Sequence, residues 1–176
     1  RERRLRDALD QVSADYDYIL IDSPPSLSLL TLNGRCAAQG VIIPMQCEYY
    51  ALEGVGQLLG NIGMIREHLN NSLHISAIVL TMYDARTKLA SEVADEVRGQ
   101  FGQVVLNNVI PRSVKVSEAP GYGQTVIDYD PGSRGALAYF DAAKELATRG
   151  DYQPHPTTGP IGVSPEVYNQ LDSEED

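Results

Sequence analysis

Four short runs of apolar residues constrain what this chain can fold into more than anything else in it: Tyr18-Ile19-Leu20-Ile21, Val41-Ile42-Ile43-Pro44, Ile75 to Met82 and Val104-Val105-Leu106. A continuous apolar run, as opposed to an alternating one, is what a strand needs when both of its faces are buried. Helical stretches separate the runs, at 27–38, 51–68 and 87–101, and a last one falls at 133–148. Before the first run, Leu5, Ala8, Leu9 and Val12 recur at the spacing of one helix face, so residues 1–14 read as the end of an amphipathic helix. Strands alternating with helices call for a parallel sheet covered on both faces, and so the fold class is α/β, doubly wound and mostly parallel.

Charge divides the chain into two parts. The 176 residues carry 24 acidic and 14 basic side chains, a net charge of −10. Six of the acids and none of the bases fall in residues 151–176, which leaves eighteen acids against fourteen bases, or −4, for residues 1–150. The global acidity argues against a nucleic-acid partner only weakly, because the body leaves room for a local basic patch. From Gly150 onward the sequence holds four prolines and three glycines and ends in an acidic cluster. Such a segment buries too little apolar area to offset its ordering entropy, so 1–150 reads as a domain and 151–176 as a disordered acidic tail. No apolar run approaches the ~20 residues of a membrane span. Cys36 and Cys47 lack metal-ligand or CxxC spacing and read as buried reduced thiols. The charged start at Arg1 is no signal peptide.

In doubly wound sheets, ligands bind beyond the carboxyl ends of the strands, so the residues that follow each apolar run are the ones to interrogate. Asp22 ends the first run and is followed by Ser23, Pro24, Pro25 and Ser26. A carboxylate ending a buried strand needs a hydrogen bond or a cation beside it. Two readings fit: Asp22 stands near a bound Mg²⁺, or it caps a turn. Arg86, Lys88, Arg112, Lys115 and Arg134 fall in loops and at helix ends. They form a patch that meets phosphates if the sheet brings these loops together, and a scattered solvated surface if it does not. The run Gly54-x-Gly56-xxx-Gly60 has the wrong spacing for a dinucleotide fingerprint and reads as a helix start. The sequence contains neither a GxxxxGK[ST] phosphate loop nor a GxSxG elbow, and His68, His74 and His155 have no ligand spacing.

Four blocks taken in order, YDYILIDSPPSLSLLTLN, VIIPMQCEYYALEG, LTMYDARTKLASEV and VIPRSVKVSEAPGYGQTVIDYDPGSRGALAY, resemble the ParA/Soj-type chromosome- and plasmid-partitioning ATPases over about residues 12–149. The resemblance implies a P-loop NTPase-like fold that binds ATP and Mg²⁺, pairs as a homodimer in the ATP state, binds nucleoid DNA without sequence preference and answers to a ParB-like partner. It further implies a bacterial cytoplasmic location and no membrane attachment. Carried over, Asp22 takes the Walker B position, catalytic and holding Mg²⁺ through water. Ser23, Pro24, Pro25 and Ser26 take the switch loop, and Met82, Pro111 and Ser113 the adenine pocket. Arg86 and Lys115 take DNA-contacting positions, with Arg112 in the same block. The family's phosphate loop precedes the Walker B strand and is not in these 176 residues. The chain therefore reads as the C-terminal part of such an ATPase, without its N-terminal strands and inactive alone. Alternatives are a non-enzymatic DNA-binding or dimerisation module and a MinD-like positioning ATPase. The acidic, proline-rich tail opposes the second, which needs a basic amphipathic helix to reach anionic lipid.

Overall fold

A computed structural model describes residues 1–149 other than 25 and 27, without the side chains at 51–54 and 57. Its elements in chain order are α1 (Arg4–Leu9), α2 (Leu29–Ala37), β1 (Gly40–Gln46), α3 (Ala51–His68), β2 (His74–Thr81), α4 (Lys88–Phe101), α5 (Val114–Glu118), α6 (Val126–Tyr129) and α7 (Arg134–Thr148). The tail assigned to 151–176 lies outside the described residues.

β1 and β2 pair in parallel, with Ile43 opposite Ile78 and Met45 opposite Leu80, and the register shifts once between Val41 and Ile42. At its start β1 comes so close to β2 that a Cβ on Gly40 would collide with the Ser76 side chain. Residues 105–111 run as a third parallel lane: Leu106 N donates to Ile78 O (2.9 Å) and Ile110 N to Leu80 O (2.8 Å). Single bridges join Val105 to Ile78 and Pro111 to Tyr83. The strand expected at 104–106 is thus reduced. Gly102–Val104 is a 3-10 turn, and the lane breaks where Asn107 and Asn108 turn aside toward α7.

The two faces of this sheet are covered unequally. Ile43, Met45, Ile78 and Leu80 pack under Leu59, Ile62 and Ile65 of α3 and Val93, Ala94 and Val97 of α4, all buried. On the other face Ala77, Leu106 and Ile110 meet Ala142 of α7, with Val79, Ala138 and Leu146 beside them. Only β2 and the third lane are roofed there; Ile42 of β1 is exposed.

Side-chain caps mark the helix starts. Ser28, Thr87 and Ser133 each accept a hydrogen bond from the backbone N–H three residues on, which satisfies one of the donors a helix start leaves open. The far end of α2 is closed from outside: the Asn70 amide donates to the carbonyls of Ala38 (2.8 Å) and Arg35 (3.0 Å). Met82, just after β2, has φ 54°, the left-handed region that side chains with a Cβ avoid.

One expectation fails outright. Tyr18 to Ile21 forms no strand and pairs with nothing among the described residues, and Tyr18 and Leu20 are 74% and 83% exposed. Its hydrophobicity favours a buried strand, but a strand exists only through a neighbour's N–H and C=O groups, and no described segment offers them. What holds the segment is α2. A Cβ on Gly34 would stand 3.2 Å from Ile21 Cγ2 and from Ser23 Oγ, so glycine lets the chain lie close along the helix.

Candidate functional site

The carboxyl ends of β2 and of the third lane are tied by backbone: Tyr83 N donates to Ile110 O (3.1 Å) and Arg112 N to Tyr83 O (3.0 Å). That knot brings the loop carrying Arg86 against the one carrying Arg112. The N-terminus of α7 closes the third side, because Gly135 packs so tightly that a Cβ there would fall 2.6 Å from Val116 Cγ2 and 3.2 Å from Ser113 Oγ. The result is a cavity of about 920 Å³ whose walls include Arg86, Arg112 and Arg134, with Asp84, Asp141, Pro111 and Leu137 between them.

The three arginines are not equivalent. Arg86 is engaged by Asp84, Nε at 2.9 Å and a second guanidinium nitrogen at 2.7 Å, and the backbone N–H of Arg86 also donates to that carboxylate. These hydrogen bonds, with the Arg86 charge and more weakly that of Arg112, hold the Asp84 carboxyl well below the usual range, so the pair stays ionised. Arg112 and Arg134 have no carboxylate within 4.0 Å among the described residues. They are the uncommitted cations of the site, and Arg134 also sits in the first turn of a helix, whose positive end reinforces them.

Lys115 stands apart on α5. It pairs with Glu118 (3.0 Å) and lies 5.5 Å from the centre of the Tyr129 ring, which stacks on Tyr122. The Glu118 hydrogen bond raises its pKa, and it stays charged. Lys88 does not line the cavity either. The five-residue basic patch is therefore three arginines at one cavity and two separate lysines. Of the residues expected at adenine, Pro111 lines the cavity, Met82 does not, and Ser113 packs toward α7.

Asp22, Ser23, Pro24 and Ser26 are exposed; Pro25 of the same loop lies outside the described residues. The Asp22 carboxylate makes no ion pair among the described residues. One carboxylate does not make a magnesium site, and no group of three or more His, Cys, Asp or Glu gathers among the described residues. Cys36 and Cys47 are free and buried, and burial raises both thiols.

The sequence held no signal for the clamp that fixes α7. The Glu145 carboxylate accepts from the backbone N–H of Asn107 (2.9 Å) and Asn108 (3.0 Å) and from both asparagine amides. Arg149 donates to Glu145 (2.6 Å) and to the carbonyls of Gln103 and Val105 (2.7 and 3.0 Å). Burial opposes ionisation of Glu145, but the two backbone donors, Arg149 and the Asn108 amide prevail and hold its pKa at about 2.

A family model described as an AAA domain matches residues 1–75. The sporulation initiation inhibitor protein Soj of Bacillus subtilis is 53% identical over 150 residues, 85% of this chain and 59% of its own length. The chromosome partitioning protein ParA of Myxococcus xanthus is 50% identical over 149 residues, again 85% of this chain and 53% of its own. The chain is a homologue of the Soj/ParA chromosome-partitioning proteins. It spans about half to three-fifths of the length of these relatives. Among solved structures, cobyrinic acid a,c-diamide synthase from Mycobacterium smegmatis, with bound ATP analogue and magnesium, superposes with a TM-score of 0.68 at 36% identity, over 84% of this chain and 53% of its own. The fold expectation holds: this is the α/β, parallel-sheet architecture of P-loop NTPases.

Proposed function

We propose that this chain is the part of a Soj/ParA-type partitioning ATPase that carries the Mg²⁺-side aspartate and the DNA-facing loops. The complete protein binds ATP–Mg²⁺, dimerises, coats nucleoid DNA without sequence preference and is cycled by a ParB-like partner. The observation that carries the reading is the 53% identity to Soj across 85% of the chain. The cavity adds support. Arg86, Arg112 and Arg134 converge on one edge, and guanidinium groups gathered without base-reading geometry favour backbone phosphates over sequence. Asp22 is proposed to hold Mg²⁺ through water, and Mg²⁺ bound there would neutralise charge developing on the transferred phosphate. Met82, Pro111 and Ser113 are proposed to face adenine, Ser23 to Ser26 to sense the γ-phosphate, and Lys115 to reach DNA from its separate place on α5.

The test is retention on mixed-sequence duplex DNA across a salt series, with and without ATP–Mg²⁺, for the complete protein and for its Arg86→Ala/Arg112→Ala variant. Expected is ATP-dependent retention that the double variant weakens, with a salt dependence shallower by about two ions. Retention that ignores both salt and the double variant sinks the proposal. A second reading is a nucleotide-independent DNA-binding module, in which retention is equal with and without ATP but still lost in the double variant.

A further inference from the structure

We infer that the acidic C-terminal segment of this chain docks intramolecularly into the arginine cavity, as an internal competitor for the anion that the cavity binds. Its effect on DNA rests on the reading above; the docking does not.

Charge argues for it first. Arg112 and Arg134 face the cavity with no carboxylate within 4.0 Å among the described residues. The chain itself carries Asp172, Glu174, Glu175 and Asp176 with no Lys or Arg after Arg149. A guanidinium prefers a carboxylate it can grip with two hydrogen bonds, and Asp84 already shows this on Arg86 in the same cavity.

Apolar complementarity comes next. Val114 and Leu137 line the cavity while 70% and 53% exposed. The segment brings Val167, Tyr168 and Leu171 immediately before its acids. An apolar anchor followed by a charge cluster thus meets an apolar wall beside two free cations.

Reach decides which copy supplies it. The segment leaves from the C-terminal end of α7, and the cavity lies at that helix's N-terminal end, so the distance to cover is the length of a 15-residue helix, about 22 Å. The acidic cluster lies 22 to 26 residues past Gly150, and a chain of that length can span up to about 70 Å, so the acids can reach their own cavity. Tethering supplies them there at an effective concentration on the order of millimolar, far above what another copy supplies in dilute solution.

The test uses the full chain with Ser173→Cys labelled by a maleimide fluorophore, since Cys36 and Cys47 are buried. The label's anisotropy at low salt, about 50 mM, should fall by roughly half in Arg112→Gln/Arg134→Gln, and likewise at about 500 mM salt, where the ionic attraction is screened. Leu137→Ser should lower it by a separate route. Anisotropy that is the same in all of these overturns the docking, as does a signal that grows with protein concentration, which would place the segment on a second copy. In a second arm, Asp172→Asn/Glu174→Gln/Glu175→Gln/Asp176→Asn should bind duplex DNA about tenfold more tightly at low salt, with the gain gone at high salt. A responsive label with no DNA binding in either form supports the docking and counts against the DNA reading. DNA binding lost in Arg86→Ala/Arg112→Ala while the label ignores Arg112 and Arg134 does the reverse.

Discussion

Residues 18–21 and 77–80 are nearly interchangeable as sequence, YILI and AIVL, and opposite as structure. Ala77, Ile78 and Leu80 are wholly buried, between β1 on one side and the 105–111 lane on the other. Tyr18 and Leu20 stand in solvent, while Ile21 beside them lies close to Gly34 of α2. Apolarity was equal, so it did not decide. What differs is the supply of parallel neighbours and of a helix on each face, and a strand's stability comes from those contacts.

Three measurements sharpen the contrast. The largest effect is expected from Leu80→Ala, which empties a fully buried site and should cost about 3 kcal/mol, read by urea denaturation. The next attacks what keeps a neighbour beside β2. Glu145→Gln loosens the clamp on the third lane and should cost about 2 kcal/mol at neutral pH. The folded pKa of Glu145 lies at about 2 against an ordinary 4.5, so its contribution is complete above pH 4.5 and lost as pH falls toward 2. The Gln variant should flatten that limb of the stability–pH curve, and an unchanged limb would remove Glu145 as its cause. The smallest effect belongs to Leu20→Ala, which should stay within about 0.5 kcal/mol because there is little burial to lose. A loss as large as that of Leu80→Ala would show that 18–21 finds a strand partner in solution, and the contrast would collapse.

The same contrast explains how much the sequence disclosed. Helices were legible because their signals are local: the stretch 51–68 matches α3, and Thr87 and Ser133 each cap a helix one residue on. The third lane was half-legible. Val105 and Leu106 look like a strand, but Asn107 and Asn108 are turned aside by a carboxylate 37 and 38 residues away, which no local pattern encodes. The arginine cavity could be located in outline, since Arg86 and Arg112 follow apolar runs whose carboxyl ends must converge. That Arg134 joins them and Lys115 does not depends on the seating of α7 and α5, fixed by Gly135 and by the Lys115–Glu118–Tyr129 cluster.

Met82 gives the edge of the sheet a sprung joint. A methionine at φ 54° holds about 1 kcal/mol or more of backbone energy that a relaxed conformation would release. It sits between the last rigid residue of β2 and the turn bearing Asp84 and Arg86, so the tension is stored where a single torsion aims a whole loop. That torsion is held by the next residue: the backbone hydrogen bonds joining Tyr83 to Ile110 and Arg112 tie the turn to the third lane, so the direction in which Asp84 and Arg86 leave the sheet is enforced by the neighbouring strand.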